Sequence, residues 1–480
     1  VNNNSPLDLI RNSPMSQMQI FVVVITVMLN ALDGLDVATI SIASPGVMAE
    51  YSITRGALGI VLSMELWGMA LGSIFLGGVA DRFGRRPTIL GCLVVMCIGM
   101  IMATTEPGVM ARNFHNLMLS FGWLEGTPTG IVHLSIWRLI TGLGIGGMLA
   151  AINAVVAEYS SEKRKHMNVA LMSIGYPLGA ATGSKIAAYL LIENTWRSVF
   201  YLGFGFALLL IPIVWFFVPE TVHWLEKKRP SNAVEKINLT LARMGHAAVN
   251  ALPERKPHEH KQSVVDIFSP RLIGTTVVVT IAYFFHIMTF YFVLKWVPDI
   301  ITRYGFDASN ASNMIFWVSV GGACGGALLG FLTLKYNLKG LTIGSMVGST
   351  ILVFIFGRSP ADLDTLAVIC FGAGFFTNAA INGMYAMFAH CYPTHVRAVG
   401  TGFAIGVGRG GSVLAPIIAG FLFEGGMSIP NVAMIMGLGS LCAAAALLFL
   451  KLRAEPPEAV EAEAAEAAEA VASSLRESTA

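Results

Sequence analysis

Charged side chains are scarce in this chain. Asp, Glu, Lys and Arg supply 12% of its 480 residues, roughly half the share found in a water-soluble domain. So little charge cannot coat a surface in water, which excludes a typical soluble enzyme. A basic excess is missing as well: 31 Lys and Arg stand against 29 Asp and Glu, net +2, and a nucleic-acid partner is excluded. The six cysteines (Cys92, Cys97, Cys324, Cys370, Cys391, Cys442) form no CxxC pair and sit mostly in apolar runs. That excludes a disulfide framework and a zinc site. GxSxG, HExxH and P-loop signatures are missing too. No catalytic residues, metal or cofactor are therefore expected, and ATP hydrolysis cannot be the drive. What the chain has in quantity is apolar residue, 55%, with 50 glycines and 23 methionines. Small residues in such numbers suit helices that pack closely in a bilayer.

A membrane helix takes about 20 mostly apolar residues. Twelve stretches qualify: 18–44, 58–80, 88–105, 130–154, 166–191, 197–218, 273–298, 310–334, 340–357, 364–391, 398–422 and 430–451. The first is too long for a signal peptide and carries two aspartates. Lys and Arg gather after spans two, four, six, eight and ten and at the start of the tail, as at Arg82, Lys163, Lys227, Lys335, Arg397 and Lys451. The opposite loops hold only scattered arginines. Both termini are thus expected in the cytoplasm. The expected fold class is all-α integral membrane, twelve transmembrane helices in two six-helix bundles around a central cavity, a layout used by secondary transporters.

The expected domains follow. A cytoplasmic N-terminal segment covers 1–17, and the first bundle covers 18–218, with an extracytoplasmic insertion at 106–130. A central cytoplasmic loop spans 219–272, with a surface helix near 235–247. The second bundle covers 273–451, and 452–480 is an Ala/Glu-rich tail, solvated helix or disordered. The insertion, with Phe114, Leu117, Phe121 and Trp123, is too apolar for a plain linker. A helix on the outer membrane surface is favoured over a lid on the cavity mouth.

Several motifs stand out. Gly77-Gly78 and Asp81-Arg82-Phe83-Gly84-Arg85-Arg86-Pro87 end span two. Span one holds Asp33-Gly34-Leu35-Asp36. Span four holds Arg138 followed by Gly142, Gly144, Gly146 and Gly147, and span five Gly175-Tyr176-Pro177-Leu178-Gly179. Span eleven begins near Arg397 and contains Gly408-Arg409-Gly410-Gly411. The 81–87 loop resembles the signature loop of the major facilitator superfamily. Together with the DGxD of span one, the chain resembles the aromatic acid:proton symporter family within it. The resemblance covers about residues 15–450. It implies the major facilitator fold and import of a benzoate-type acid, such as a hydroxybenzoate, with protons across a bacterial inner membrane. The expected partners are a small aromatic carboxylate, protons and the lipid bilayer, with the chain a monomer. A symporter for another organic anion or a sugar is the alternative. A membrane sensor of aromatic acids would need an output domain, and 219–272 and the tail look too plain for one. The chain departs from the family pattern in the long 106–130 insertion, in Glu65, Lys185 and Lys295, and in Pro219-Glu220-Thr221-Val222-His223-Trp224-Leu225.

Charges inside a span mark candidate sites. Asp33 and Asp36 are three apart and share a helix face, and two nearby carboxylates in low dielectric cannot both ionise cheaply. They are the expected proton carriers. Arg138 can compensate either aspartate or meet a substrate carboxylate, and the resemblance associates it with proton transfer. Asp81, Arg82, Arg85 and Arg86 can latch the ends of the two bundles together. The resemblance adds Glu158, as partner of that loop, and Arg397 as gating residues. Arg409, deep in span eleven, needs an anion and is the expected substrate ligand. Asn378, Asn382 and Tyr385 of span ten and Tyr283 of span seven are candidates to read the ring. Tyr291 is a further cavity candidate, and His286 is expected to be packed and neutral. Lys185 and Lys295 could bind an anion or snorkel outward. Glu65 lies in the outer half of its span and could pair with either lysine or carry a second proton.

Overall fold

The computed structural model describes residues 5–120, 126–252, 264–393 and 396–450. Among them every regular element is helical. Twelve long helices follow in order: α1 (Gln17–Tyr51), α2 (Arg55–Phe83), α3 (Arg85–Met102), α4 (Thr129–Tyr159), α5 (Lys165–Glu193), α6 (Arg197–Phe217), α7 (Ile273–Arg303), α8 (Ala308–Leu332), α9 (Leu338–Phe356), α10 (Leu363–Cys391), α11 (Arg397–Gly408, then Gly410–Glu424) and α12 (Ile429–Leu448). Eleven of them are long and apolar enough to cross a membrane. The twelfth, α5, has the length but is diluted by Gly175, Gly179, Gly183, Ser184 and Lys185. The three glycines let it lie against α1.

The second bundle repeats the packing of the first. As α2 packs on α4 and α3 on α6, so α8 packs on α10 and α9 on α12. The bundles meet along two seams related by the same repeat, α2 with α11 and α5 with α8. Within the first bundle α2 and α4 approach backbone to backbone. A Cβ at Gly68 would strike the Leu139 carbonyl, and one at Gly142 the Glu65 carbonyl. The outer faces expose large apolar side chains, among them Phe216, Phe75, Ile74 and Leu448. Such a surface suits acyl chains and not water.

Local capping sets the helix starts. Ser16 and Gln19 form a reciprocal capping box at the head of α1. The head of α3 has no cap of its own. Glu220 supplies one from just beyond the end of α6, accepting from the N–H of Arg85 at 2.9 Å and of Arg86 at 3.3 Å. Gly84 makes the turn between α2 and α3 at φ +116°, where a side chain would also meet Glu220. Short helices cover Pro6–Asn12, Val109–Ser120, Val222–Lys228 and Ala233–Arg243. Val109–Ser120 packs on α4 and leaves Val109, Met110, Phe114 and Leu117 exposed. Phe121 and Trp123 of the insertion, and the tail from 451 onward, lie outside the described residues.

Candidate functional site

Four fully buried charges meet between α1, α2, α4 and α7. The Arg138 guanidinium donates to Asp36 Oδ1 at 2.8 Å, to the Asp36 carbonyl at 3.1 Å and to Glu65 Oε2 at 2.8 Å. Glu65 Oε2 also accepts from Lys295 Nζ at 3.1 Å, and Lys295 donates to the Val37 carbonyl at 2.7 Å. Two cations and two carboxylates thus balance in a region no solvent reaches. Burial without pairing would be prohibitive here, so each charge holds the others in place. Lys295 does not snorkel: it points inward, and its ammonium is committed to Glu65 and Val37. In this conformation it is not free to take a substrate anion.

Asp33 lies one turn before Asp36 and is equally buried, yet it makes no ion pair among the described residues. Its Oδ1 has no hydrogen-bond partner among them. Of the two aspartates, Arg138 pairs with Asp36 and not with Asp33. Two cations of the other bundle lie within electrostatic reach of Asp33: Lys295, already committed to Glu65, and Arg409, whose effect is the larger. Arg409 sits at the break in α11 between Gly408 and Gly410 and is half-buried. Its guanidinium makes one hydrogen bond among the described residues, to the neutral Ser73 hydroxyl of α2 at 2.9 Å. The rest of its fork is unspent. Tyr283, Tyr291 and Tyr385 surround it closely enough to interact electrostatically. The Tyr283 and Tyr385 hydroxyls stand 3.1 Å apart, and Tyr385 is 43% exposed.

The remaining candidates are placed differently. Asn378 donates to the Gly374 carbonyl of its own helix at 3.2 Å and packs on Gly322 of α8. Asn382 packs on Gly326 but is exposed. Lys185 donates to Asn313 of α8 at 2.9 Å and covers the Phe316 ring at 5.3 Å, so it serves the α5–α8 seam. His286 is fully buried between Ser440 and the Thr377 carbonyl.

Among the described residues the 81–87 loop does not join the bundles in this conformation. Arg85 pairs with Asp81 at 3.0 Å and Glu158 at 3.1 Å, all within the first bundle. Arg86 bonds the Trp215 carbonyl and lies 5.2 Å over its ring, again in that bundle. Arg82 stacks on Phe83 at 5.4 Å, and Arg397 donates to the Tyr392 carbonyl at 3.4 Å. In this conformation these pairs clamp the end of the first bundle. Four sets of polar ties across the seam lie toward the opposite end: Arg55–Asp299 at 3.4 Å, Ser312 to the Ser184 carbonyl at 2.8 Å, Lys185–Asn313, and Lys295 to Glu65 and Val37. The Arg409–Ser73 bond adds a tie at mid-depth. Among the described residues, the polar ties between the bundles thus run from mid-depth to the end opposite the 81–87 loop.

Sequence reasoning missed Glu220, Ser73 and the Arg55–Asp299 pair. Glu220 had a signal, a carboxylate in a departing motif after span six. Ser73 had none, since one serine in an apolar helix is unremarkable. Burial pushes the Glu220 carboxyl above its ordinary value while three N–H donors pull it down. Burial, aided by Arg85, Lys227 and Arg11 and opposed by Glu158, holds His223 below the usual imidazole range.

A family model described as Major Facilitator Superfamily matches residues 26–296 and 279–478. The gallate transporter of Pseudomonas putida is 26% identical, over 94% of this chain and 98% of that one. The 4-hydroxybenzoate transporter PcaK of Acinetobacter baylyi is 26% identical over 92% of each chain. Among solved structures, a D-xylose–proton symporter superposes with a TM-score of 0.66 at 18% identity, covering 90% of this chain and 98% of that one. A bacterial homolog to the human lysosomal transporter Spinster, inward-facing and occupied, reaches 0.69 at 14% identity, covering 92% and 100%. At such identities the structures speak for the fold alone.

Proposed function

This chain belongs to the major facilitator superfamily, a multi-pass membrane protein and not an enzyme, and from that premise we propose that it imports an aromatic carboxylic acid by proton-coupled alternating access. The proposal takes the bacterial inner membrane as its place, both termini in the cytoplasm and one chain as the working unit. The 81–87 end is then cytoplasmic, and the conformation is inward-facing. Support for the substrate class comes from relatives named for gallate and 4-hydroxybenzoate.

One observation carries the mechanism: among the described residues neither Asp33 nor Arg409 makes an ion pair, the two lie within electrostatic reach of each other across the bundle boundary, and beside them is a quartet that is already neutral. A carboxylate arriving at Arg409 would occupy its free fork bidentately. Asp33 would then be left as an uncompensated buried anion. A proton on Asp33 removes that charge, so substrate and proton enter together, one of each for a monocarboxylate. Tyr283, Tyr291 and Tyr385 offer aromatic faces and hydroxyls to the ring. Asp36 and Arg138 hold α1 against α4 and are a positioning pair in this scheme. Asp81, Arg85, Arg86 and Glu158 keep the cytoplasmic end of the first bundle rigid as it rocks.

The test is uptake of labelled hydroxybenzoates by proteoliposomes under an imposed pH gradient. Accumulation should need an acidic exterior and should vanish in Asp33→Asn, which should still exchange substrate. Gradient-driven accumulation by Asp33→Asn at the wild-type level would overturn the proton assignment. Failure to carry any aromatic acid while carrying another anion or a sugar would overturn the substrate class.

A further inference from the structure

Glu65 takes part in both bundles at once. The same oxygen, Oε2, accepts from Arg138 of the first bundle and from Lys295 of the second. Lys295 reaches past it to the Val37 carbonyl of α1, the residue next to Asp36. One α7 side chain therefore grips both α1 and α2. The contact lies toward the outer end: Lys295 is eight residues, about 12 Å, from the end of α7. All four side chains of the quartet are wholly buried.

We propose that Glu65 is a coupling residue of the transport cycle: it bolts Lys295 of the second bundle to the Asp36–Arg138 pair and holds the outer end closed. The proposal rests on the sidedness and alternating access argued above. Parting the bundles at that end must draw Lys295 away from α1 and α2. The loss is one-sided. Glu65 keeps Arg138, so the first bundle retains Asp36, Arg138 and Glu65 as a connected set. Lys295 loses both its carboxylate and its carbonyl. An ammonium without either partner is costly until water or an anion reaches it, and that cost is what keeps the outer seam shut. The remaining outer ties are weaker by nature. Arg55 is part-exposed where it meets Asp299, and Ser184–Ser312 and Lys185–Asn313 each involve a neutral partner. This arrangement also explains why a charged residue at 65 and another at 295 stand in otherwise apolar stretches: neither is tolerable alone.

The test reads access to the two ends without substrate, in a background whose six native cysteines are replaced. Ser312→Cys reports the outer seam, since Ser312 is fully buried between α8 and α5. Gly402→Cys reports the inner opening. It lies seven residues before Arg409 on the same face of α11, and a Cβ there meets open space. A membrane-impermeant maleimide is applied from each side in turn. Lys295→Met should speed outer labelling on the order of tenfold or more and slow inner labelling, as the population shifts outward. Glu65→Gln, which leaves Lys295 in place, should move both rates the same way. Lys295→Arg keeps a buried donor to Glu65 and should restore the wild-type pattern. Unchanged outer labelling in both Lys295→Met and Glu65→Gln would overturn the bolt. So would faster labelling at both ends, which signals general loosening, or an Lys295→Arg response as large as that of Lys295→Met. Because no substrate enters the assay, a wrong substrate class leaves these outcomes readable.

Discussion

Replacing Arg409 tests the site most directly. Its guanidinium is half-buried at a helix break and, among the described residues, donates once, to Ser73 at 2.9 Å, with its other donors unspent. If a substrate carboxylate takes those donors, Arg409→Lys preserves the charge and loses the planar fork. The loss is then about one charge-assisted hydrogen bond, ~1.5–3 kcal/mol, or roughly tenfold to hundredfold in affinity. Arg409→Ala removes the charge as well and should fall at or beyond the weaker end of that range. The chain should remain folded in both, since Ser73 is a neutral partner that water can replace. Equilibrium binding of a labelled hydroxybenzoate to purified protein gives the affinity, and thermal melting in detergent controls for folding. Wild-type affinity in both variants would refute the reasoning. It would make Arg409 a structural counter-charge to Asp33 and move the anion site elsewhere.

Other expectations are narrower. Asp36→Asn should lower the melting temperature more than Asp33→Asn, because only Asp36 is ion-paired with Arg138; equal shifts would contradict that division. Glu220→Ala should remove the cap of α3 and cost about 0.5–2 kcal/mol, read by chemical or thermal denaturation. Gly84→Ala should cost about 1 kcal/mol or more, since the position needs φ +116° and lies against Glu220. His223 is held below its ordinary value, so the unfolded chain binds the proton more readily than the folded one. Stability should fall as pH drops below the unfolded imidazole value of about 6.5, and His223→Gln should flatten that fall in melting curves taken across the range.

Much of the architecture was legible in the chain because hydrophobic length is a local property. Eleven of the twelve expected spans are helices apolar enough to cross a membrane, and the expected 166–191 span matches α5, whose glycines lower its apolar character. Asp33, Asp36, Arg138 and Arg409 could be picked out singly, since a charge in an apolar run is conspicuous by itself. Their partners could not. Asp33 and Asp36 look alike in sequence, three residues apart on one face, and only the docking of α4 on α1 gives Arg138 to Asp36 and leaves Asp33 facing Arg409. The choice of Lys295 over Lys185 as partner of Glu65 depends on where α7 and α5 dock against α1. The clamp of the 81–87 loop within its own bundle depends on Glu158 and Glu220, from the ends of two other helices. By itself the sequence determined that the chain lies in a membrane, how often it crosses and which residues carry charge there. The tertiary structure decided which charges neutralise one another, because pairing depends on side-chain distances of about 3 Å between helices far apart in the chain, and no local pattern encodes those distances.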